Sequence, residues 1–137
     1  ILMTLFYVKP GLPSVEDFLS LRDSAKMGER SIEGAKKGLG NELYCAVLYL
    51  KETDELIGMG RVVGDGGTVF HICDMVVKAE WQKKGGGTMI MDALMGFIEK
   101  LNIADAYVNL IADVDGFYEK WGFKPTRPSS KGMFLKT

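Results

Sequence analysis

The sequence predicts an α+β domain in which a mixed, mostly antiparallel sheet of six to seven strands is flanked by about four helices. Two observations carry that reading. Apolar, strand-like runs in the middle of the chain are separated by short polar or glycine-rich turns, which join antiparallel neighbours. A long amphipathic stretch then lies between two further strand-like runs, and a strand–helix–strand crossover places its two strands parallel.

The elements follow in order. Leu2 to Val8 (LMTLFYV) reads as the opening strand, stopped by Lys9-Pro10-Gly11. Ser14-x-x-Asp17 resembles a capping box, and Val15, Phe18 and Leu19 fall at i, i+3 and i+4 of the helix it opens. A second short helix is expected from Ser31 to Gly38, with Gly38 as its left-handed terminal residue; its weak apolar content makes it a lid candidate. Glu42 to Leu50 and Leu56 to Val63 are strands on either side of Lys51-Glu52-Thr53-Asp54. Gly64-Asp65-Gly66-Gly67 turns into a strand from Thr68 to Val77. Strict alternation there puts Val69, His71, Cys73, Met75 and Val77 on one face and Phe70, Ile72, Asp74 and Val76 on the other. After Gly85-Gly86-Gly87 a helix runs to about Leu101, with Ile90, Leu94, Phe97, Ile98 and Leu101 on one face. Ala106 to Ile111 is the next strand. Asp113 is expected to cap a short helix through Trp121, ended by Gly122, and Met133 to Lys136 to form the last strand. The order is βααββββαβαβ or a close variant.

At 137 residues the chain fits one domain, 1–137, and no repeat or low-complexity tract divides it. With 47% hydrophobic and 26% charged residues it can bury a proper core. Seventeen basic against eighteen acidic residues argue against a nucleic-acid binder. The longest apolar run, Tyr44 to Leu50, is far short of the roughly 20 residues of a membrane span. No charged, apolar and small-residue leader opens the chain, and its start at Ile1 leaves some N-terminal residues expected to be trimmed or uncounted. Cys45 and Cys73 sit inside apolar runs, as buried thiols of a reducing compartment would, so the expected location is cytoplasmic. One histidine and two dispersed cysteines make no metal cluster of recognisable spacing.

The segment Asp74 to Thr88, DMVVKAEWQKKGGGT, carries the chemistry. A buried strand enters a loop containing Gln82-x-x-Gly85-x-Gly87, and a long helix starts at once. Three glycines bare the main chain to a ligand, and the amides of Lys83 through Thr88 can converge on one anion at the positive end of the helix dipole. Lys83 and Lys84 add charge to the rim, so a pyrophosphate is the natural occupant. A Walker loop would need a Lys after the glycines, and the dinucleotide pattern a third glycine where Ile90 stands. A merely flexible turn is the bland alternative.

Gln82-x-x-Gly85-x-Gly87 after Met75-Val76-Val77 resembles the acyl-CoA pyrophosphate loop of the GNAT N-acetyltransferases. About thirty residues on, Phe117-Tyr118-Glu119-Lys120-Trp121-Gly122-Phe123 is similar to a second signature of that family. The resemblance spans about Leu2 to Lys136. It implies a sheet splayed between its fourth and fifth strands, ending at Val77 and Ile111, with main-chain groups of Met75, Val76 and Val77 binding the pantetheine arm. It implies acetyl-CoA as cosubstrate, no metal, and contacts from Gln82, Lys83, Lys84, Gly85, Gly86, Gly87 and Thr88. Gln82 stands where the family often has Arg. Gly86 replaces a commoner side chain and is expected to loosen the loop by roughly 0.5–1 kcal/mol. Asp113 lies where many relatives carry an Asn that reaches the cofactor, which makes it a further cofactor-binding candidate, although its charge would not welcome phosphate nearby.

Acetyl transfer to an amine requires a base for the amine and an acid for the departing thiolate. Tyr118 matches the family's acid, although Phe117, Tyr118, Trp121 and Phe123 also read as an aromatic core cluster. His71 holds the position, four residues before the pantetheine-binding triplet, of a base found in some members; an ordinary strand histidine is the alternative. Asp74 is a second candidate base, an ammonium anchor or a structural carboxylate. Asn109 can face either way, and no activating arrangement marks Cys73 as a nucleophile. The leading expectation is direct acetyl transfer to a primary amine of a small molecule or peptide; the alternative is a non-catalytic acyl-CoA-binding module or sensor. A generic phosphate- or nucleotide-binding domain is the third, and Tyr118 is the feature it does not require. Acceptor choice is expected to lie in residues 12–40 and 125–132, where Glu29, Glu33 or the nearby Glu42 can attract a cationic amine; a charged, solvated face explains them equally well. Edge strands make a homodimer unsurprising.

Overall fold

The computed structural model describes residues 5–137 and contains five strands and three α-helices among them. Strand β1 (Phe6–Pro10) is followed by helices α1 (Val15–Ser24) and α2 (Ile32–Gly38). Strands β2 (Tyr44–Leu50), β3 (Leu56–Gly64) and β4 (Val69–Val77) come next, then helix α3 (Gly86–Leu101) and strand β5 (Tyr107–Leu110). The sheet order is β1-β2-β3-β4-β5, antiparallel except for the parallel pair β4–β5.

Local chemistry explains most of these boundaries. Ser14 caps α1 by accepting from the Asp17 amide at 3.0 Å, and Ser31 caps α2 through the Gly34 amide at 2.9 Å. β1 runs through Pro10, which pairs with Ala46; proline is tolerated because β1 is an edge strand. Leu2 to Thr4 of the expected strand lie outside the described residues. Gly38 stays within α2 while Gly40 adopts the left-handed backbone, at φ 100°.

The two sheet faces carry separate cores. On one, Ile90, Met91 and Leu94 of α3 pack against Phe6, Leu48, Ile57, Phe70 and Ile72. On the other, Phe18 and Leu21 of α1 and Ala35 of α2 cover Val47, Met59 and Val76. Strict alternation along β4 does not hold. Asp74 takes the left-handed conformation (φ 55°) where the β3–β4 register shifts between Met59 and Arg61. This bulge turns Asp74 away from the face of Phe70 and Ile72, onto the side of α1, and returns Met75 and Val77 to the α3 side.

The expected sixth and seventh strands and fourth α-helix are not among the described elements. Met133 to Lys136 forms no strand, and Met133, Phe134 and Leu135 are 81–88% exposed. An apolar run becomes a strand only where a neighbouring edge supplies hydrogen bonds, and this one has no such partner among the described residues. Asp113 caps no helix; the chain coils to Phe117 before a single 3₁₀ turn, Tyr118–Trp121, which Gly122 ends at φ 91° as expected.

Candidate active site

The site grows from the place where two strands part. β4 and β5 pair from Val69↔Tyr107 to Ile72↔Leu110, after which β5 stops and β4 continues to Val77 with only β3 beside it. The Lys78 amide donates to Ile57 O at 2.9 Å, which fixes the backbone direction at that end. Alternation then turns the main-chain groups of Met75 and Val77 toward the open edge and those of Val76 toward β3. Gln82 crosses this edge, its Nε2 donating to Val77 O at 2.8 Å. That contact satisfies the last carbonyl of β4 and ties the following loop to the strand.

The loop closes on α3 through two left-handed residues, Lys83 (φ 62°) and Gly85 (φ 92°). Met89 N donates to Gly85 O at 3.2 Å, so Gly86, Gly87 and Thr88 occupy the first turn, where amides have no acceptor within the helix. These amides sit at the positive end of a 16-residue helix, with exposed Lys83 and Lys84 alongside. Their chemistry fits a diphosphate. Gly86 does more than loosen the turn. It is buried, and a Cβ there would come within 2.7 Å of Leu48 Cδ2 and 3.6 Å of Phe6 Cε2. The third glycine is where the helix start presses onto the sheet.

Gly87 meets the second motif: its missing Cβ faces the Phe117 ring at 3.4 Å. Phe117 packs edge-on against Tyr118 and Trp121, with centroids 4.9 and 5.1 Å apart. Trp121 Nε1 donates to Asp92 Oδ1 of α3 at 2.8 Å, so the motif is both an aromatic cluster and a part of the cradle wall. Tyr118 is half-buried, and burial, reinforced by the negative charge of Asp113, pushes its phenol above the ordinary value. It therefore stays protonated at neutral pH. Asp113 itself lies on the exposed segment after β5.

On the face opposite α3, His71 and Asn109 are register partners, with Nδ1 and Oδ1 2.7 Å apart. Three residues along, Asp74 is fully engaged. Arg22 donates to its Oδ1, and Arg61 Nη1 donates to its Oδ2 at 2.8 Å. Arg61 also donates to Glu42 at 3.0 Å and to Gly38 O at 3.3 Å. Both oxygens of Asp74 are thus ion-paired, which favours the structural carboxylate among its three readings, and Glu42, 6% exposed at its side chain, is an ion-pair partner of Arg61. The arginines were missed in the sequence because they lie 52 and 13 residues from Asp74, with no local pattern to join them. Burial pushes the Cys73 thiol up to about 12.

A cleft of about 890 Å³ lies along α1 and the α1–α2 connection, with Arg22, Asp23, Glu29, Arg30 and Lys136 among its lining residues. It falls within the stretch expected to choose the acceptor. Glu33 lies outside this lining, on the surface of α2 near Lys37.

Comparison with known proteins agrees with this architecture. Residues 29–134 match the acetyltransferase (GNAT) domain family. A solved structure from meticillin-resistant Staphylococcus aureus, described as a protein of unknown function and probable acetyltransferase, is 44% identical; it superposes with a TM-score of 0.91, covering 97% of this chain and 100% of that one. A GNAT-family acetyltransferase structure from Streptococcus pneumoniae superposes with a TM-score of 0.77 at 24% identity, covering 97% and 98%. The uncharacterized N-acetyltransferase ycf52 of Pyropia yezoensis is 28% identical over 83% of this chain and 67% of its own length. The parted strands, the glycine-led helix and the aromatic turn against it thus belong to a family match that spans most of the sequence: this chain is a member of the GNAT acetyltransferase family.

Proposed function

We propose that the chain moves an acetyl group from acetyl-CoA directly to a primary amine of a small molecule or peptide. The observation that carries the reading is the junction of three features: the open edge of β4, the free amides of Gly86 to Thr88, and the Phe117–Tyr118 turn packed on Gly87. Bound acetyl-CoA supplies an activated thioester. Main-chain groups of Met75 and Val77 and the amides at the start of α3 hold and orient it, with Lys83 and Lys84 balancing its charge. The Tyr118 hydroxyl, protonated at neutral pH as a phenol and held further so by burial, gives its proton to the departing sulfur. His71 Nε2 takes the proton of the acceptor amine.

Two further readings belong to the same proposal. Cys45 and Cys73 as free thiols support a reducing, cytoplasmic setting. The unpaired edge of β5, with Tyr107 57% exposed and Ile111 just beyond it 67% exposed, supports a homodimer.

The test is thiol release from acetyl-CoA with a panel of polyamines, aminoglycosides, amino acids and peptides. Release is expected with at least one amine class, and Tyr118→Phe should lower kcat by about 10²-fold with the KM for acetyl-CoA unchanged. Calorimetric binding of acetyl-CoA without release on any amine would instead leave a binding module.

A further inference from the structure

We infer that Asn109 is a positioning residue that fixes the imidazole of His71 as its Nδ1–H tautomer, keeping the Nε2 lone pair free for the acceptor amine. The inference rests on the reading of His71 as the base. The parallel register sets His71 of β4 directly opposite Asn109 of β5, one pair before the last at Ile72↔Leu110. The two side chains are therefore held by main-chain ladders on both strands, at the point where those strands part. Both are half-buried, so their contact is only partly open to competition from water.

The chemistry of the contact fixes the proton. His71 Nδ1 lies 2.7 Å from Asn109 Oδ1, and an amide oxygen can only accept. Nδ1 must then carry hydrogen, and a neutral imidazole with hydrogen on Nδ1 keeps its acceptor lone pair on Nε2. An imidazole without such a partner samples both tautomers, one of which presents Nε2–H and cannot take a proton at that nitrogen. The carboxylate three residues along the strand cannot do this work, because Arg22 and Arg61 occupy both oxygens of Asp74. Asn109 adds no charge of its own beside the imidazole.

His71 is the chain's single histidine, so ¹⁵N-detected imidazole signals of the whole protein are unambiguous. The native chain at alkaline pH, with the imidazole neutral, should show Nδ1 protonated and Nε2 bare. Asn109→Val, which suits a strand but offers no acceptor, should give a tautomer mixture. Its kcat should fall about tenfold, less than the loss of a whole general base, with the KM for acetyl-CoA unchanged. Asn109→Asp retains an acceptor and should restore the Nδ1–H signal; Asn109→Ala repeats the first variant if Val disturbs folding. A native chain carrying Nε2–H would overturn the inference, as would an unchanged tautomer or unchanged kcat in both Val and Ala variants. Full turnover in His71→Gln would sink the base reading itself. The tautomer signal needs no turnover, so that failure is distinct from a failure of the Asn109 lock.

Discussion

The ring of Phe117 lies 3.4 Å from where a Cβ on Gly87 would stand, which joins two motifs that the sequence separates by thirty residues. The contact couples the amide cradle at the start of α3 to the turn carrying Tyr118. The three glycines meet different surroundings. Gly85 supplies the left-handed turn and Gly86 the close approach to Leu48, whereas a methyl at Gly87 would only touch the Phe117 ring.

The three positions should therefore respond differently to alanine. At Gly86 the added methyl meets Leu48 Cδ2 at 2.7 Å inside a filled core, an overpacking that costs about 1–3 kcal/mol. At Gly87 the same methyl makes an ordinary contact at 3.4 Å and adds no steric cost to a helix-propensity gain of roughly 0.5–1 kcal/mol. Denaturant unfolding of Gly86→Ala and Gly87→Ala should show a marked loss for the first and no loss for the second. The reverse order would contradict the packing at the helix start.

Tyr118 leads to a pH prediction with a definite sign. Burial and the carboxylate of Asp113 both disfavour the phenolate, so the pKa lies above the ordinary 10. Turnover that needs the protonated hydroxyl should hold through neutral pH and decline only on the alkaline side of 10. Asp113→Asn removes one cause of the rise and should move that decline to lower pH. Short assays of kcat against pH for the two proteins provide the check; coincident alkaline limbs would take Tyr118 out of the proton-donating role.

The elements built by local chemistry were legible: the Ser14 and Ser31 caps, the period-two strands, the glycine-led helix and the Gly122 stop. What escaped was set by distant partners. The bulge at Asp74 is fixed by Arg22 from α1 and Arg61 from β3, and alternation counted along the strand alone cannot register it. Asn109 could face either way until its register with His71 was known. Met133 to Lys136 has the apolar pattern of a strand, but pattern does not reveal whether an edge is there to receive it.

The Asp74 network separates a structural role from a catalytic one. Its side chain and that of Arg22 are each 6% exposed, and its oxygens answer two guanidinium groups. Asp74→Asn leaves those cations under-compensated in a buried site, a change expected to cost about 3–5 kcal/mol. Thermal and denaturant unfolding should report that loss. A variant as stable as the native chain but inactive would instead make Asp74 a participant in the reaction.

The thiols supply the last prediction, and it bears on the route of transfer. Burial pushes Cys45 and Cys73 up to about 12; at Cys73 the negative charge of Asp74 adds to the rise while Arg61 opposes it. The unfolded chain ionises its thiols near the ordinary 9, so stability from keeping them neutral is whole below that pH. It is lost progressively as pH climbs from 9 toward 12. Thermal melts should fall through that window, and less steeply in Cys45→Ala. At pH 7 such a thiol holds roughly one part in 10⁵ as thiolate, too little to act as a relay for the acetyl group. Cys73→Ala should accordingly keep its turnover, and native protein should react slowly with a disulfide reagent until it is unfolded. Loss of turnover in a folded Cys73→Ala protein would replace direct attack by the amine with a covalent route through that sulfur.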